Sequence, residues 1–379
     1  MRFTLALGCT VCLNLLLACG GSNSHPTPGT LTLRLGSDSI PGYTQAVVSV
    51  QRVDASGDGG TWVGLGTVSG TFDLMALQNG HTVALLPGVS VDSGTYRYFR
   101  ITWDTANHLN PINLPAYAVD TQNLSHPLAM PAAMTTVVTG NVAVPPNGSA
   151  TAQIMVSGTQ AIQIRPVAGV ATHVFQAVGQ AFDPGVCARI TGSLSPGLSG
   201  VEVYAETVDG TGLATIQRRA LTDSSGSFAL EALPTESLYY VVGQPAGTTS
   251  AYAAAASAGI DCALALPYGP VSLSYSTAQA PGALNLAVTP PSAAADATWG
   301  ELRQSLSTGG SGSQTLIVRS QTVATSATQD LAGFAGLAPG NYGYTAQRSR
   351  AGAPAVMKIG ASQVAVPAGA PGTVSLTYP

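Results

Sequence analysis

Few residues of this sequence have both the type and the spacing of a catalytic site. Its histidines are scattered and show none of the short spacings of a metal site: His25, His81, His108, His126 and His173. Glu202 and Glu206 lie on one face of a predicted strand, separated by about 13 Å, which exceeds the separation that glycosidases use. No nucleophile elbow, His-Glu-x-x-His segment or phosphate-binding loop occurs. The sequence therefore predicts a protein that is not an enzyme and needs no cofactor, with these glutamates as solvated charges.

Residues 54–59 have the pattern of half a calcium-binding loop. Asp54, Ser56 and Asp58 occupy its first, third and fifth positions, and Gly59 occupies the sixth. The twelfth position, where such a loop needs a bidentate glutamate, is Leu65. The segment is therefore predicted to be a hairpin turn, and no metal site is expected.

Aromatic side chains are sparse, at 6% of the chain. Trp62, Tyr98, Tyr117 and Trp299 have the ring faces on which sugars stack, but aromatic residues on strands also fill cores and rims. The candidate ligand contacts are therefore Trp62, Tyr98 and Trp299, and core packing is the alternative for each.

The first 18 residues have the pattern of an export signal. An apolar run follows Arg2 and extends to Leu17, too short for a membrane-spanning helix, which takes about 20 apolar residues. Residues 16–19, which end in Ala18 and Cys19, resemble the lipobox of bacterial lipoproteins, in which diacylglycerol alkylates the cysteine thiol. An ordinary secretory signal with a chance cysteine is the alternative.

This resemblance implies a membrane lipid anchor on Cys19 and a location in the bacterial envelope. Gly20 stands where an aspartate retains many lipoproteins at the inner membrane, so the outer membrane is favoured, facing either the periplasm or the cell surface. Several acyl chains, palmitate among them, would hold the protein stably. Residues 19–29 then form a flexible tether that reaches about 30 Å when extended.

Two cysteines, Cys187 and Cys262, remain beyond the leader and the anchor. An even pair in an oxidising compartment predicts a disulfide. The two cysteines enclose 74 residues. A crosslink over a loop of that length would stabilise the folded state by about 4–5 kcal/mol, because it lowers the entropy of the unfolded chain. Two buried free thiols are the alternative. A zinc site would need two further ligands, and the neighbouring sequence supplies none.

The composition favours an exported all-β protein. Hydrophobic residues make up 45% of the chain and charged residues 8%, and Lys358 is the sole lysine. Because no basic cluster occurs, nucleic acid is excluded as a partner. Short alternating runs follow one another from Thr30, a pattern typical of two or three tandem β-sandwiches of the immunoglobulin or transthyretin type. The predicted domains are residues 30–180, 185–265 and 266–379.

The first domain resembles a known lipoprotein family. The strands predicted at 30–35, 48–53 and 94–101, together with the block at 71–80 that ends in Leu77-Gln78-Asn79-Gly80, are similar to the family catalogued as domain of unknown function 4382. The resemblance covers roughly residues 30–165. It implies an envelope lipoprotein and no particular chemistry.

The second domain resembles a carboxypeptidase regulatory-like, transthyretin-like sandwich. The similarity lies in residues 189–194, 200–205 and 222–230, where Asp223 can cap a turn, Gly226 supplies a positive φ and Phe228 returns to the core. A more degenerate version of the same superfamily's turn occurs at 334–342. The disulfide would then tie the two ends of the second domain together.

Three functions are consistent with these features. A lipid-anchored envelope protein with a structural, adhesive or interaction role ranks first, a carbohydrate-binding surface lipoprotein second and an envelope hydrolase a distant third. Envelope proteins and glycans are the candidate partners besides the lipid.

The lipid anchor gives the first testable prediction. Replacing Cys19 with serine removes the thiol that is alkylated, so metabolic labelling with a fatty acid should be lost and the precursor should stay uncleaved. Cys187→Ser serves as the control, because it removes a thiol outside the leader and should leave labelling intact. Labelling that survives Cys19→Ser would refute lipidation.

Overall fold

The structure is a computed structural model, and it describes residues 26–105, 116–167, 169–275, 277–293, 296–350 and 355–378. It consists almost entirely of β-strands, which confirms the predicted all-β class with several β-sandwich sheets. The buried apolar residues form three clusters, and the third contains Ala214, Tyr240 and Val242 as well as residues from 284 to 378. No helix among the described residues is both long and apolar enough to cross a membrane.

The first core contains twelve strands and two short helical turns. The strands are β1 Pro28–Ser37, β2 Tyr43–Ser56, β3 Val63–Asp73, β4 Val83–Asp92, β5 Gly94–Trp103, β6 Ala116–Asp120, β7 Ser125–Ala129, β8 Thr135–Val144, β9 Ser149–Val156, β10 Ile162–Val167, β11 Val170–Phe175 and β12 Gly179–Phe182. A 3₁₀ turn covers Leu74–Leu77, and the single α-helical turn α1 covers Gly158–Ala161.

The alternation predicted for this domain is present at its start. Leu31, Leu33 and Leu35 of β1 point into the core, between strands β4 and β9. The block at 71–80 contains the 3₁₀ turn, which the carboxylate of Asp73 caps by accepting the N–H of Met75. The chain leaves this turn through Asn79, which has a positive φ of 56°.

The second core contains eight strands in two facing sheets. They are β13 Ala188–Ser195, β14 Glu202–Val208, β15 Ala214–Leu221, β16 Ser227–Leu233, β17 Ser237–Gly243, β18 Ala255–Ala256, β19 Ile260–Cys262 and β20 Pro267–Ser274, preceded by a 3₁₀ turn at Pro184–Val186. One sheet has the order β16-β13-β20, and the other β15-β14-β17-β18. Strand β20, which sequence analysis placed with the C-terminal domain, pairs with β13 and packs Leu273 into the second core.

The third core contains nine strands. They are β21 Gly282–Thr289, β22 Asp296–Ser307, β23 Ser313–Thr322, β24 Ala324–Thr325, β25 Asp330–Leu337, β26 Gly340–Arg350, β27 Val356–Ile359, β28 Val364–Val366 and β29 Pro371–Thr377, with a 3₁₀ turn at Gly309–Ser311. One sheet has the order β24-β25-β21-β29 and is continuous with the sheet of the first domain, because Ala324 of β24 pairs with Ile164 of β10. The other has the order β23-β22-β26-β27, and β28 also pairs with β26.

The third core repeats the strand pattern of the second. In each, the first strand pairs antiparallel with one neighbour and parallel with the last strand: β13 with β20, and β21 with β29. A turn is also repeated. The hydroxyl of Tyr239 donates to the carbonyl of Pro234 at 2.8 Å, and that of Tyr342 donates to Ala338 at 2.7 Å.

The first and second cores are joined through the block at 71–80. The side-chain amide of Asn79 donates to the carbonyl of Leu221 at 2.6 Å, and Gln78 accepts the N–H of Leu221 at 2.9 Å. The carbonyl oxygen of the Asn79 side chain also accepts the N–H of Ala229 at 3.3 Å. These two side chains therefore pair with the backbone of the second domain much as a strand would.

Candidate functional site

The three candidate aromatic contacts do not form one site. Trp62 and Tyr98 are half-buried and lie at the same end of the first domain, beside the hairpin loop between β2 and β3. The guanidinium of Arg100 stacks 4.4 Å from the centre of the Trp62 ring and therefore covers one of its faces. Trp299 lies in the third core, 7% exposed, with its indole N–H donating to Glu301. The prediction of Trp299 as a ligand contact is therefore wrong, because the outer face of its strand is covered.

Residues 57–62 connect β2 to β3 in a hairpin turn, as predicted for the segment at 54–59, whose first three residues still belong to β2. Both oxygens of the buried Asp54 carboxylate are bound by arginines, Arg52 at 2.6 Å and Arg100 at 2.9 Å. Asp58 accepts the N–H groups of Gly60 and Thr61, and these bonds lower its pKa to about 2. The carboxylate of Asp54 thus binds arginines of the sheet, and that of Asp58 binds backbone N–H groups of the turn. No cluster of three metal-ligating side chains occurs in the described parts of the chain.

Cys187 and Cys262 are not joined in the structure, so the predicted disulfide is corrected to two free thiols. They lie at the same end of the second domain, next to Tyr239, whose pKa burial raises to about 12. Burial also raises the pKa of both thiols, that of Cys262 to about 11. Because a thiolate is needed for exchange, both groups are poorly reactive in the folded chain. Cys19 lies outside the described residues.

Two of the histidines, dispersed in sequence, meet on the first domain. The rings of His126 on β7 and His173 on β11 stack with centroids 3.9 Å apart. His126 pairs with Asp120 at 2.9 Å, while burial and the neighbouring imidazole lower the pKa of His173. His81 lies exposed on another face, and His25 and His108 lie outside the described residues.

Glu202 and Glu206 do not have the solvated surroundings that the sequence suggested. Glu206 is fully buried, and its carboxylate accepts the N–H of Ile317 from the third domain at 2.9 Å. Burial raises its pKa well above the usual range. Glu202 accepts the hydroxyl of Tyr204 at 2.6 Å. The reason is that the third domain packs over the outer face of β14, a contact that no local pattern reveals.

The largest of the cavities described here lies where the three domains meet. It has a volume of about 640 Å³ and its wall takes residues from every domain. Six of its polar side chains are Thr44, Gln78, Gln122, Glu202, Gln244 and Arg319. Gly333 and Ala335, on the outer face of β25, form part of its rim. We take this cavity as the candidate functional site.

Four groups in this wall have unused hydrogen-bonding capacity. The side-chain oxygen of Gln244, the hydroxyl of Ser320, one carboxylate oxygen of Glu202 and Nε of Arg319 are buried and have no hydrogen-bond partner among the described residues. The amide nitrogen of Gln244 is held by the hydroxyl of Tyr342 at 2.8 Å. A wall rich in amides and hydroxyls suits a neutral ligand that both donates and accepts hydrogen bonds. The sequence could not reveal it, because its residues come from three separate segments.

The burial of Glu206 gives the second prediction. A carboxyl whose folded pKa is raised binds its proton more tightly in the folded state, so stability falls as pH rises above its ordinary value of 4.5. Up to the raised pKa, each pH unit destabilises the fold by at most about 1.4 kcal/mol. Glu206→Gln removes the titration, so its stability relative to the wild type should increase from pH 4.5 upward in denaturant unfolding.

Glu236→Gln is the matched control, since Glu236 is an exposed carboxyl of the same domain. It should track the wild type at every pH. Asp38 and Glu231 also have raised pKa values, so the difference between variant and wild type is the quantity to compare. A difference for Glu206→Gln that does not change with pH would contradict a buried, proton-binding carboxyl.

Among solved structures, the chain is similar to the TIE protein of Bacillus anthracis, at 11% identity and a TM-score of 0.19, over 93% of this chain and 50% of that one. The chain thus spans half the length of that protein. It is also similar to GBS52, the minor pilin of Streptococcus agalactiae, at 15% identity and a TM-score of 0.18, over 50% of this chain and 94% of that one. Similarities at such TM-scores identify no function.

No curated protein matches the sequence. A family match covers the first domain. Residues 28–164, which hold the strands β1 to β9 and the block at 71–80, match the family described as "Domain of unknown function (DUF4382)", and the predicted resemblance of the first domain is thereby confirmed.

Proposed function

We propose that the protein is a lipid-anchored component of the bacterial envelope with a structural or adhesive role. Its anchor is Cys19, its tether is residues 19–29, and its β domains carry the contact surface. The observation that carries this proposal is the joining of the domains through buried polar contacts. A chain built to hold a partner at a distance from a membrane needs domains that do not hinge freely.

The contacts at both junctions support such rigidity. Asn79 binds the backbone of the second domain at two points, Leu221 and Ala229. Between the second and third domains, Glu206 accepts from Ile317, and Arg303 donates to the carbonyl of Ala214 at 3.1 Å. Breaking the bond of Glu206 or that of Arg303 leaves a buried polar group without a partner, which costs about 1–3 kcal/mol, while the bonds of Asn79 are partly buried. The domains therefore resist separation.

The test compares attachment of cells that carry the wild-type chain, no chain, Asn79→Gly or Asn123→Gly. Glycine keeps the positive φ of Asn79 and removes only its side-chain contacts. Asn123 also has a positive φ, at an exposed turn, so Asn123→Gly is the matched control. We expect attachment to surfaces or to neighbouring cells to be lost without the chain, reduced with Asn79→Gly and kept with Asn123→Gly.

Two measurements accompany attachment in this test. Protease digestion between the first two domains should be faster for Asn79→Gly than for Asn123→Gly, which shows that the junction has loosened. The second measurement is envelope integrity, assayed as the sensitivity of cells to detergent. If the protein has a structural role without adhesion, cells that lack the chain should be more sensitive to detergent while their attachment is unchanged. Unchanged attachment and unchanged integrity in cells without the chain would overturn the proposal.

Carbohydrate binding is the second candidate function, and the cavity between the domains favours it. Its volume of about 640 Å³ accommodates a small saccharide, and its wall offers both hydrogen-bond donors and acceptors. The aromatic surface at Trp62 is less suited, since Arg100 covers one face of the ring.

The cavity can be blocked without removing any polar group. Ala335→Phe places a ring at the rim of the cavity, from the exposed face of β25. Leu331→Phe introduces the same ring on the same face, at a residue that is 37% exposed and outside the cavity wall. Retention of the protein on a saccharide column should be lost with Ala335→Phe and kept with Leu331→Phe and Trp62→Ala. Loss with Trp62→Ala alone would place the sugar on the aromatic surface instead.

A further inference from the structure

The hairpin of β10 and β11 lies between the first and third domains and is held at few positions. On one side, β11 pairs with β7 of the first domain at two residues, His173 and Val174. On the other side, β10 pairs with β24 of the third domain at one residue, Ile164. The tip of the hairpin extends into solvent, with Val167 50% and Val170 66% exposed. The seam between β7 and β11 is therefore short.

The base of this hairpin is fixed in the first core. The ring of Phe175, at the end of β11, packs edge-on against Trp103 with centroids 5.0 Å apart. Ile162, at the start of β10, is fully buried, and Gln176 donates its N–H to the carbonyl of Ala161 at 2.8 Å. Any opening of the seam is therefore confined to the outer part of the hairpin.

Two imidazoles meet across the seam. His126 on β7 and His173 on β11 stack with centroids 3.9 Å apart and planes inclined by 27°. The ring of Tyr43, on β2, contacts that of His173 edge-on at 5.9 Å. Two imidazoles at this distance repel each other when both are protonated, because each charge disfavours the other. The stack is thus compatible with one proton more than with two.

The carboxylate beside the stack favours a charge on one ring only. Asp120, at the end of β6, pairs with Nε2 of His126 at 2.9 Å. Its other oxygen accepts the N–H groups of Gln122 and Leu124, which fix it in the turn before β7. His173 forms no ion pair with any residue that the structure describes. A first proton is therefore stabilised on His126, and a second proton on His173 is not.

The strands on either side bring no compensating charge to His173. Tyr43 stays neutral, because burial raises the pKa of its hydroxyl. On β10, the partner of His173 is the apolar Ile164. Arg165 follows it on the opposite face of the hairpin, where it donates to the carbonyl of Ala293 in the third domain at 2.6 Å. Burial and the neighbouring imidazole together lower the pKa of His173.

We propose that the stacked imidazoles are a pH-sensitive latch, which holds the outer β10–β11 hairpin on β7 at neutral pH and releases it in mild acid. The first proton binds His126 beside Asp120 and leaves the stack in place. The second proton, on His173, is opposed while the hairpin is docked and is no longer opposed once the ring reaches water. The connection from the first domain to the third through this hairpin therefore depends on pH.

The direction of the effect follows from the pKa of His173, which in the docked hairpin lies below its ordinary value of 6.5 despite the opposing attraction of Asp120. Above pH 6.5 the ring is neutral in both forms, and the docked form is fully favoured. As the pH falls from there to the lowered pKa, the open form binds more protons. Each pH unit then shifts the equilibrium towards opening by at most about tenfold.

The test is hydrogen exchange of the mature chain, followed by mass spectrometry from about pH 7.5 to about pH 5 and corrected for the intrinsic pH dependence of exchange. Backbone amides of β10 and β11 should lose protection below pH 6.5, by up to about tenfold per pH unit, while β1 and β9 in the first core keep theirs. Hairpin protection that does not change with pH would overturn the proposal. A loss shared equally by β1 and β9 would overturn it too, because it would mean general unfolding in acid.

Three variants assign the effect to the stack. His173→Phe keeps a ring against Tyr43 and removes the titrating group, so protection of the hairpin should no longer depend on pH. His126→Phe removes the like charge and should reduce the pH dependence, which keeps the test valid if His173→Phe does not fold. His81→Gln is the control, since His81 is exposed and lies outside the stack, and it should behave as the wild type.

Circular dichroism at neutral pH establishes that each variant is folded. A loss of protection in acid that is as large in both phenylalanine variants as in the wild type would show that another group opens the seam. A pH dependence abolished by His81→Gln would likewise contradict the latch.

Discussion

The burial of strand β14 on both faces is the constraint on which the junction of the second and third domains depends. One face, with Val203 and Ala205, packs into the second core, and the other meets the third domain. A strand covered on both sides has no solvent for its polar side chains, so each must find a partner inside the protein. Glu206 finds the backbone of Ile317, and Tyr204 finds both Glu202 and the N–H of Ser320.

The junction between the second and third domains combines apolar and polar contacts, since Ala214, Tyr240 and Val242 of the second domain pack into the third core. The third core includes a carboxylate, Glu301, bound by Arg303, Thr345 and Gln347 at 2.7 to 2.9 Å. These bonds lie within the third domain and hold Arg303, whose other terminal nitrogen donates to the carbonyl of Ala214 in the second domain. Other buried polar atoms near the junctions have capacity left over, among them one carboxylate oxygen of Glu206, the side-chain oxygen of Gln244 and the terminal nitrogens of Arg219.

The sequence predicted well what depends on local pattern. The alternation of apolar and polar residues predicted the all-β class, and the block at 71–80 was found through its family resemblance. Local irregularities are not visible in such a pattern: a bulge after Val50 turns Arg52 outward, although even spacing would place both on one face. The predictions that Trp299 contacts a ligand and that Glu206 is a solvated charge were wrong for a different reason. Both are buried by another part of the chain, and no local pattern encodes that packing.

The parallel pairing of first and last strands determines how the second and third domains carry a load. In β13 with β20 and in β21 with β29, the chain enters at one end of the pair and leaves at the opposite end. Tension between the two ends of such a domain therefore acts along the strands and shears all the hydrogen bonds of the pair together. An antiparallel hairpin pulled from adjacent ends would instead unzip one bond at a time. Each of the two domains is thus connected in the direction in which a sheet resists extension most strongly.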